Sequence, residues 1–504
     1  MHWTIPVVIL GIVWLPRATT ASPPELFALD GNGDPVAWWV VLKLPSMVRD
    51  ASGAYVATPC DCASPVCSRE VDPNRRHGLC YLYADANRPQ LQHFRALGYD
   101  CLGQGGRDPV SQTLRQRANA THWAYFNDQL NGIALKQDKS LVCSGHAAFN
   151  AHSKGLVAFE ATSGGFVLQT STPNFPDPTP SPDFERLGCQ HDNNVEYAQH
   201  LFAVSVGDAA LATIASGWRA ARLCSANHYH AIGNLLVSPS LRNVSTLSGT
   251  ARAVASVMVD PHLPVQPSQQ VQVATKGNQS VAVHGLFKSR TAEVPPWALV
   301  ATAFATDVSV ASWWDENYGT PTLCDGDSYG AAAHAFCLRP TESPVALRPD
   351  GTFPFNVENL MDASWTLPTG RVTWSLRGGR VRDGNHAKWG IATPRHLREA
   401  TLSIFGDLNM EGFPCSSSCA GSQGGRGGTF FALANRELHA SLTALVTNVC
   451  GCGVSPAMSM TYVDRRLCGH GCTKRLHASE QLPGVGNSTT SYWPRTETNV
   501  VALA

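Results

Sequence analysis

Charge is scarce in this chain. Asp, Glu, Lys and Arg make up only 15% of its 504 residues, and 38 basic side chains face 38 acidic ones, so the formal net charge is zero with histidine neutral. That balance excludes a protein that holds nucleic acid by bulk basicity at neutral pH. Acid changes the picture, because the 18 histidines titrate near pH ~6.5 and would make the surface cationic below it. Long apolar runs are missing beyond the amino terminus, so no transmembrane helix or membrane anchor is expected. The one early run, IPVVILGIVWL, is shorter than the ~20 residues that cross a bilayer. Small residues Thr19, Thr20 and Ala21 follow it, so residues 1–21 read as a signal peptide.

Complete metal and nucleotide motifs are lacking too. Asp30-Gly31-Asn32-Gly33-Asp34 opens like a calcium loop, but Pro35 stands where Gly is required and Val41 where the closing Glu belongs. Gly424–Gly428 resembles a phosphate-cradling loop without the Lys and Ser/Thr that complete one. The 16 cysteines match no zinc-finger spacing. Behind a signal peptide they read as disulfides, clustered at Cys60, Cys62, Cys67 and Cys80 and again from Cys415 to Cys472. Sequons at Asn119, Asn243, Asn278 and Asn487 fit the same secretory route. No metal and no cofactor are expected.

What the chain does contain is a repeated tripeptide, His-x-Lys. It occurs as His152-Ser153-Lys154 and as His386-Ala387-Lys388, each leading into a strand-like run. Alternate residues of a strand share a face, which would set each imidazole beside its own ammonium. An asparagine follows each copy at nearly equal distance: Asn174 is 22 residues past His152, and Asn409 is 23 past His386. One such histidine is usually structural; repetition with matched flanks points to chemistry. Two half-sites facing one phosphodiester would supply a neutral imidazole to attack phosphorus and a protonated one to serve the leaving oxygen. Lysines and amides would hold the non-bridging oxygens.

Turn residues punctuate the chain, and β-branched or aromatic runs are short, which predicts a mixed α/β fold rich in strand. SKGLVAFE and GFVLQTST form a hairpin signal around Thr162-Ser163-Gly164-Gly165, and HAKWGIAT with ATLSIFGDLN repeats it over a longer connection. The helix candidates are Pro89–Leu97 and Arg436–Val446. The repeat suggests two similar lobes, residues 22–240 (with a Cys-bearing insertion at about 58–80) and 241–452, followed by a Cys-containing extension and loose tail at 453–504.

Six blocks carry a family resemblance: LDGNGDPVAWWVVLKLP (29–45), GLCYLYAD (78–85), YFNDQ (125–129), HSKGLVAFEATSGGFVLQTSTPNFP (152–176), NHAKWGI (385–391), and GDLN with GGRGGT (406–409, 424–429). In this order they resemble the deoxyribonuclease II family. The resemblance implies a phospholipase D-like fold, with a central β-sheet flanked by helices in each lobe and one active site at the lobe interface. It implies an acid endonuclease that cuts double-stranded DNA without divalent metal and leaves 3′-phosphates. Such enzymes are lysosomal or secreted, and a monomer or homodimer is expected.

Carried onto this chain, the catalytic residues are His152, Lys154, His386 and Lys388. Candidate substrate ligands are Asn174, Asp407, Asn409, Glu160 and Arg426. Pattern does not decide which ring attacks; His152 as nucleophile and His386 as general acid is the working assignment. Asn385 stands where the family has Asp, Ala387 replaces a hydroxyl residue, and Gly390 stands where a cysteine is common. These departures keep two alternatives open. One is a phospholipase D-like enzyme acting on a lipid head group, and the other a secreted DNA-binding protein that has lost catalysis. The tryptophan pairs Trp38-Trp39 and Trp313-Trp314 read as core before they read as base-stacking surfaces.

Overall fold

The computed structural model describes residues 24–62, 78–104, 106–127, 151–173, 196–223 and 235–260. It continues, with single-residue interruptions, through 263–313, 322–326 and 345–378, then 381–393, 401–409, 426–452 and 461–462. The signal-peptide segment, most of the Cys-bearing insertion, Asn174 and the tail lie outside the described residues. No helix among the described residues is long and apolar enough to cross a membrane.

Two sheets dominate the fold. The strands of the first that matter here are β1 (Trp38–Lys43), β2 (Tyr81–Asp85), β3 (His122–Asn127), β4 (Lys154–Glu160), β5 (Gly164–Thr170) and β6 (Gln199–Val206). Those of the second are β7 (Gln269–Ala274), β8 (Ala282–Lys288), β9 (Asp307–Ala311), β10 (Trp389–Thr393), β11 (Leu402–Gly406) and β12 (Gly428–Leu433). Their spatial orders are β3-β4-β5-β6-β1-β2 and β9-β10-β11-β12-β8-β7, with every neighbour antiparallel. The second order repeats the first over its first four strands, and the last two positions are filled in the opposite chain order. Each block puts the His-x-Lys hairpin in the same place, β4–β5 in one and β10–β11 in the other.

The strands read as unbroken apolar runs because both faces are covered. Every residue of β1, β4, β5 and β6 is buried. The inner faces pack together: the Phe202 ring lies parallel to Phe405 with centroids 5.2 Å apart, and Phe431 meets both Phe202 and Phe287. One hydrophobic core therefore serves both sheets. The outer face of the second sheet is closed by helix α2 (Pro296–Phe304), whose Trp297 packs against Phe430 over a second apolar cluster. Residues 47–49 and 55–57, from the amino-terminal part of the chain, extend the second sheet, where Arg49 pairs with Asp362 and Asp383.

The hairpin expected at 162–165 is present, although Gly164 and Gly165 already belong to β5 and the turn is 161–163. Gly164 needs its glycine, since φ is +74° and a Cβ would sit 2.2 Å from the Val206 carbonyl oxygen. The expected carboxy-terminal helix is α3 (Arg436–Leu445), capped where the Asn435 side chain accepts the Leu438 N–H at 2.9 Å. The helix expected over Pro89–Leu97 does not form. Gln92 and His93 pair with Tyr83 and Leu82 at the sheet edge, and a single 3-10 turn follows, ending at Gly98. Phe94 stacking on Tyr81 at 4.7 Å holds that arrangement.

Disulfides join Cys60 to Cys80, Cys62 to Cys101 and Cys324 to Cys452. The first joins the start of the insertion to the residue just before β2, and the second joins it to the loop that follows the 3-10 turn. The third ties the start of the carboxy-terminal extension to the second sheet. Sequon residues Asn119 and Asn243 are exposed.

Helix α1 (Asp208–Ala221) packs between the blocks, and its Gly217 lies directly under Phe287, where a Cβ would come within 2.2 Å of the ring. Gly217→Ala should therefore lower stability by about 1–3 kcal/mol in urea unfolding, despite a helix-propensity gain of about 1 kcal/mol. A more stable variant would refute this packing.

Candidate active site

The two tripeptides enter their sheets at equivalent points. His152-Ser153-Lys154 runs into β4, and His386-Ala387-Lys388 ends one residue before β10. Both histidines precede the strand instead of lying in it, a correction to the strand setting read from sequence. Freed from sheet alternation, each ring can turn toward the other sheet.

Each ring is then held across the sheet boundary. His152 Nδ1 hydrogen-bonds the backbone carbonyl of Asp407, the first residue after β11. His386 Nδ1 lies 2.9 Å from the carbonyl of Ser171, the first residue after β5. The backbones cross in the same way: His152 N–H donates to Gly427 O at 2.9 Å and His386 N–H to Ala198 O at 2.7 Å. Gly427 and Ala198 are the residues immediately before β12 and β6. A carbonyl only accepts, so the neutral tautomer that bonds one through Nδ1 carries its proton there and keeps a lone pair on Nε2. Those Nε2 atoms face their own lysines: Lys154 Nζ is 3.4 Å from His152 Nε2, and Lys388 Nζ is 3.4 Å from His386 Nε2. Lys388 Nζ also approaches His386 Nδ1 at 2.9 Å and donates to the His386 carbonyl at 2.6 Å.

The half-sites share one electrostatic field. Burial depresses the His386 pKa well below the ordinary imidazole value, and Lys388, Lys154 and His152 add to the depression in that order. The ring is partly open at its surface yet surrounded by protein elsewhere, so it is neutral in the free protein. Two of the three groups acting on it, Lys154 and His152, come from the first tripeptide.

The loops beneath the rings are firmly seated. Trp297 Nε1 donates to Leu408 O at 3.2 Å, fixing the Asp407-Leu408-Asn409 turn. Ser171 Oγ donates to Gln199 Oε1 at 2.6 Å and accepts the His200 N–H at 2.9 Å. His200 is fully buried, and its Nδ1 accepts the Lys388 N–H at 3.1 Å. Burial, with Lys388 second, pushes its pKa down to about 3, so it stays a neutral acceptor.

The remaining expected residues scatter. Asp407 is present but not as a phosphate ligand: its carboxyl is buried, Oδ1 accepts the Thr429 N–H at 2.8 Å, and its carbonyl serves His152. Burial raises its pKa to about 7, against smaller lowering effects from Ser153, Thr429, Lys154 and Gln169. Its Oδ2, Gln169 Oε1 and Ser153 Oγ have no hydrogen bond of ordinary geometry. A proton on Oδ2 gives this acceptor-rich group a second donor. Asn409 is buried with its Oδ1 unpaired, two residues from the His152 contact. Arg426 is half-buried beside Gly427, at the segment that seats His152. Glu160 is not brought to the site. It accepts the Thr121 N–H at 2.7 Å at the far end of β4, six residues and roughly 20 Å from Lys154. Asn174 lies outside the described residues.

Asn385 is a turn former. Its Nδ2 donates to Leu376 O at 3.2 Å and Ala387 O at 2.9 Å, while Oδ1 accepts the Ala387 N–H at 3.0 Å. Trp38 and Trp39 are core, as expected. Trp313 is not: half-buried, it meets the His386 ring edge-on at 5.0 Å and Tyr197 at 5.2 Å. Residues 28–337 match the family model for deoxyribonuclease II, more than half of the 504-residue chain. The chain belongs to the deoxyribonuclease II family. No curated protein matches it. Membership makes it a hydrolase of phosphodiester bonds with DNA as its substrate. The matched span covers the first tripeptide and stops before His386, so the second tripeptide is tied to the first by the fold and not by the match.

The raised Asp407 pKa gives a signed expectation. An unfolded carboxyl titrates near 3.8 and the folded one at about 7, so its stabilising effect is complete below the former and lost as pH rises through the latter. Asp407→Asn mimics the protonated form. Its stability relative to the parent should rise between about pH 4 and pH 7 and level off above, by on the order of a few kcal/mol in paired urea melts. A pH-independent difference would show that Asp407 is ionised throughout.

Proposed function

We propose that this member of the deoxyribonuclease II family cuts DNA in acid by a metal-independent, two-histidine phosphoryl transfer across the two repeated blocks, which act as the lobes of a phospholipase D-like fold. One observation carries the reading: each ring has Nδ1 on a carbonyl of the opposite sheet and Nε2 beside a lysine. A carbonyl acceptor at Nδ1 keeps Nε2 available and stabilises the cation that forms as a bond is made there. Lys154 and Lys388, with Asn409 and Arg426, supply the charge for the non-bridging oxygens that Mg²⁺ supplies in other nucleases.

The electrostatics favour a reversal of the working assignment. His386, held neutral by burial and three neighbouring groups, suits the attacking ring. Its Nε2 forms the bond to phosphorus as the P–O5′ bond breaks, and His152 protonates the departing 5′ oxygen. Water, deprotonated by His152, then displaces His386 and leaves a 3′-phosphate. Below about pH 7 Asp407 is neutral, so Lys154 keeps its full charge for the substrate. Acid therefore strengthens phosphate binding while DNA contact stays electrostatic and salt-sensitive. A lysosomal or external acid setting fits this chemistry. The catalytically silent alternative drew on Asn385, whose amide is committed to its own turn and does not face the ring.

Plasmid nicking near about pH 5 in excess EDTA should proceed, and His152→Ala or His386→Ala should each slow it by at least ~10²-fold. Complete loss of cutting on EDTA addition, with the fold intact, would rule out the mechanism. Thymidine 3′-(4-nitrophenyl phosphate), whose leaving group needs no acid, separates the two roles. His152→Ala should still release nitrophenolate and His386→Ala should not; the opposite pattern would restore His152 as nucleophile.

A further inference from the structure

Two more lysines are buried at positions that the repeat makes equivalent. Lys43 ends β1 and Lys288 ends β8, with 1% and 0% of their surface exposed. Lys43 pairs across to Gln199, the first residue of β6, and Lys288 to Gly428, the first residue of β12. One residue before each partner stand Ala198 and Gly427, the carbonyls that receive the His386 and His152 N–H groups. Each lysine is thus next to the backbone seat of the histidine from the other sheet.

The side chains lead to the same places. Lys288 Nζ donates to Arg426 O at 2.9 Å and to Ser289 O at 3.2 Å, so it clasps the residue adjoining Gly427. Lys43 Nζ donates to Leu44 O at 3.1 Å. Lys43 also lines a small cavity with Ala198, Gln199, Asn385 and Ala387, which flank His386 and its acceptor. Packing alone does not call for an ammonium here, because an apolar side chain fills a buried strand end without the cost of removing a charge from water. Two such burials, related by the repeat and each one residue from a histidine seat, point to a shared task.

We propose that Lys43 and Lys288 are positioning residues for the phosphoryl transfer, each holding the strand-end segment on which the opposite half-site's histidine rests. The inference depends on the two-histidine reading above. Lys43 governs the seat of His386 and Lys288 that of His152. Neither touches the phosphate, so their loss misaligns the rings without weakening DNA capture.

The test compares full-length Lys43→Met and Lys288→Met with the parent in plasmid nicking at acid pH in EDTA, over a range of DNA concentrations. Methionine keeps the stem and removes the charge, and the melting midpoint of each variant, measured alongside, gives the folded fraction to which its rate is referred. The rate kcat should fall about tenfold or more, with KM for DNA within about twofold of the parent's, as misplacing a reacting group does. Unchanged kcat, a raised KM with kcat intact, or a loss that merely tracks the unfolded fraction would each overturn the inference. His152→Ala in parallel keeps the two claims apart. Parental cutting by that variant sinks the mechanism; a silent His152→Ala beside fully active methionine variants sinks only the role of the lysines.

Discussion

The site depends on an exchange of backbone carbonyls between two sheets. Asp407 O holds the His152 ring and Ser171 O holds the His386 ring, while Gly427 O and Ala198 O take the corresponding N–H groups. Neither histidine is oriented by its own sheet. Both carbonyls come from residues just past a strand end, where the ladder stops and the oxygen is free to accept a side chain. Rigidity at those points is therefore what the rest of the architecture supplies. Trp297 fixes Leu408, Ser171 is bonded to Gln199 and His200, and the stacked Phe202 and Phe405 fix the spacing of the sheets.

Burial makes this arrangement both costly and useful. Lys154 and Lys388 lose their hydration in this buried setting. His386 responds by staying neutral. Asp407 responds by holding its proton to about pH 7, so the nearest carboxyl does not neutralise Lys154 in acid. In the proposed mechanism, the same desolvation that keeps the attacking ring free of a proton also strengthens its interaction with the substrate.

The departures from family pattern change little that the rings feel. Asn385 closes a turn with both ends of its amide. Gly390 lies beneath Trp297, where a Cβ would come within 2.9 Å of the indole, so a larger residue there would disturb the helix that anchors Leu408. The Trp313 ring at the edge of His386 adds an aromatic wall beside the second half-site.

Much was legible in sequence. The repeated His-x-Lys, the hairpin that follows each copy, helix α3 and the disulfide-rich character all follow from local patterning, because strand, turn and cap preferences act over a few residues. Family membership follows from six ordered blocks, four of them inside the matched span. The helix misread at Pro89–Leu97 failed because pairing of Gln92 and His93 to the sheet edge outweighed local propensity. Glu160 was misplaced because a strand carries its two ends roughly 20 Å apart, a distance that nearness in sequence conceals.

Sequence by itself determined which residues can do the chemistry and that they come in two sets. Only the tertiary structure decided which carbonyl holds which ring, and that Asp407 meets His152 through its backbone. Those outcomes join residues more than 200 positions apart, His152 to Asp407 and His386 to Ser171. Lys43 and Lys288 carried a faint signal, an apolar run ending in lysine, that gains meaning only from strand register. Contacts of that range are set by how two sheets share one core, and no local preference encodes them.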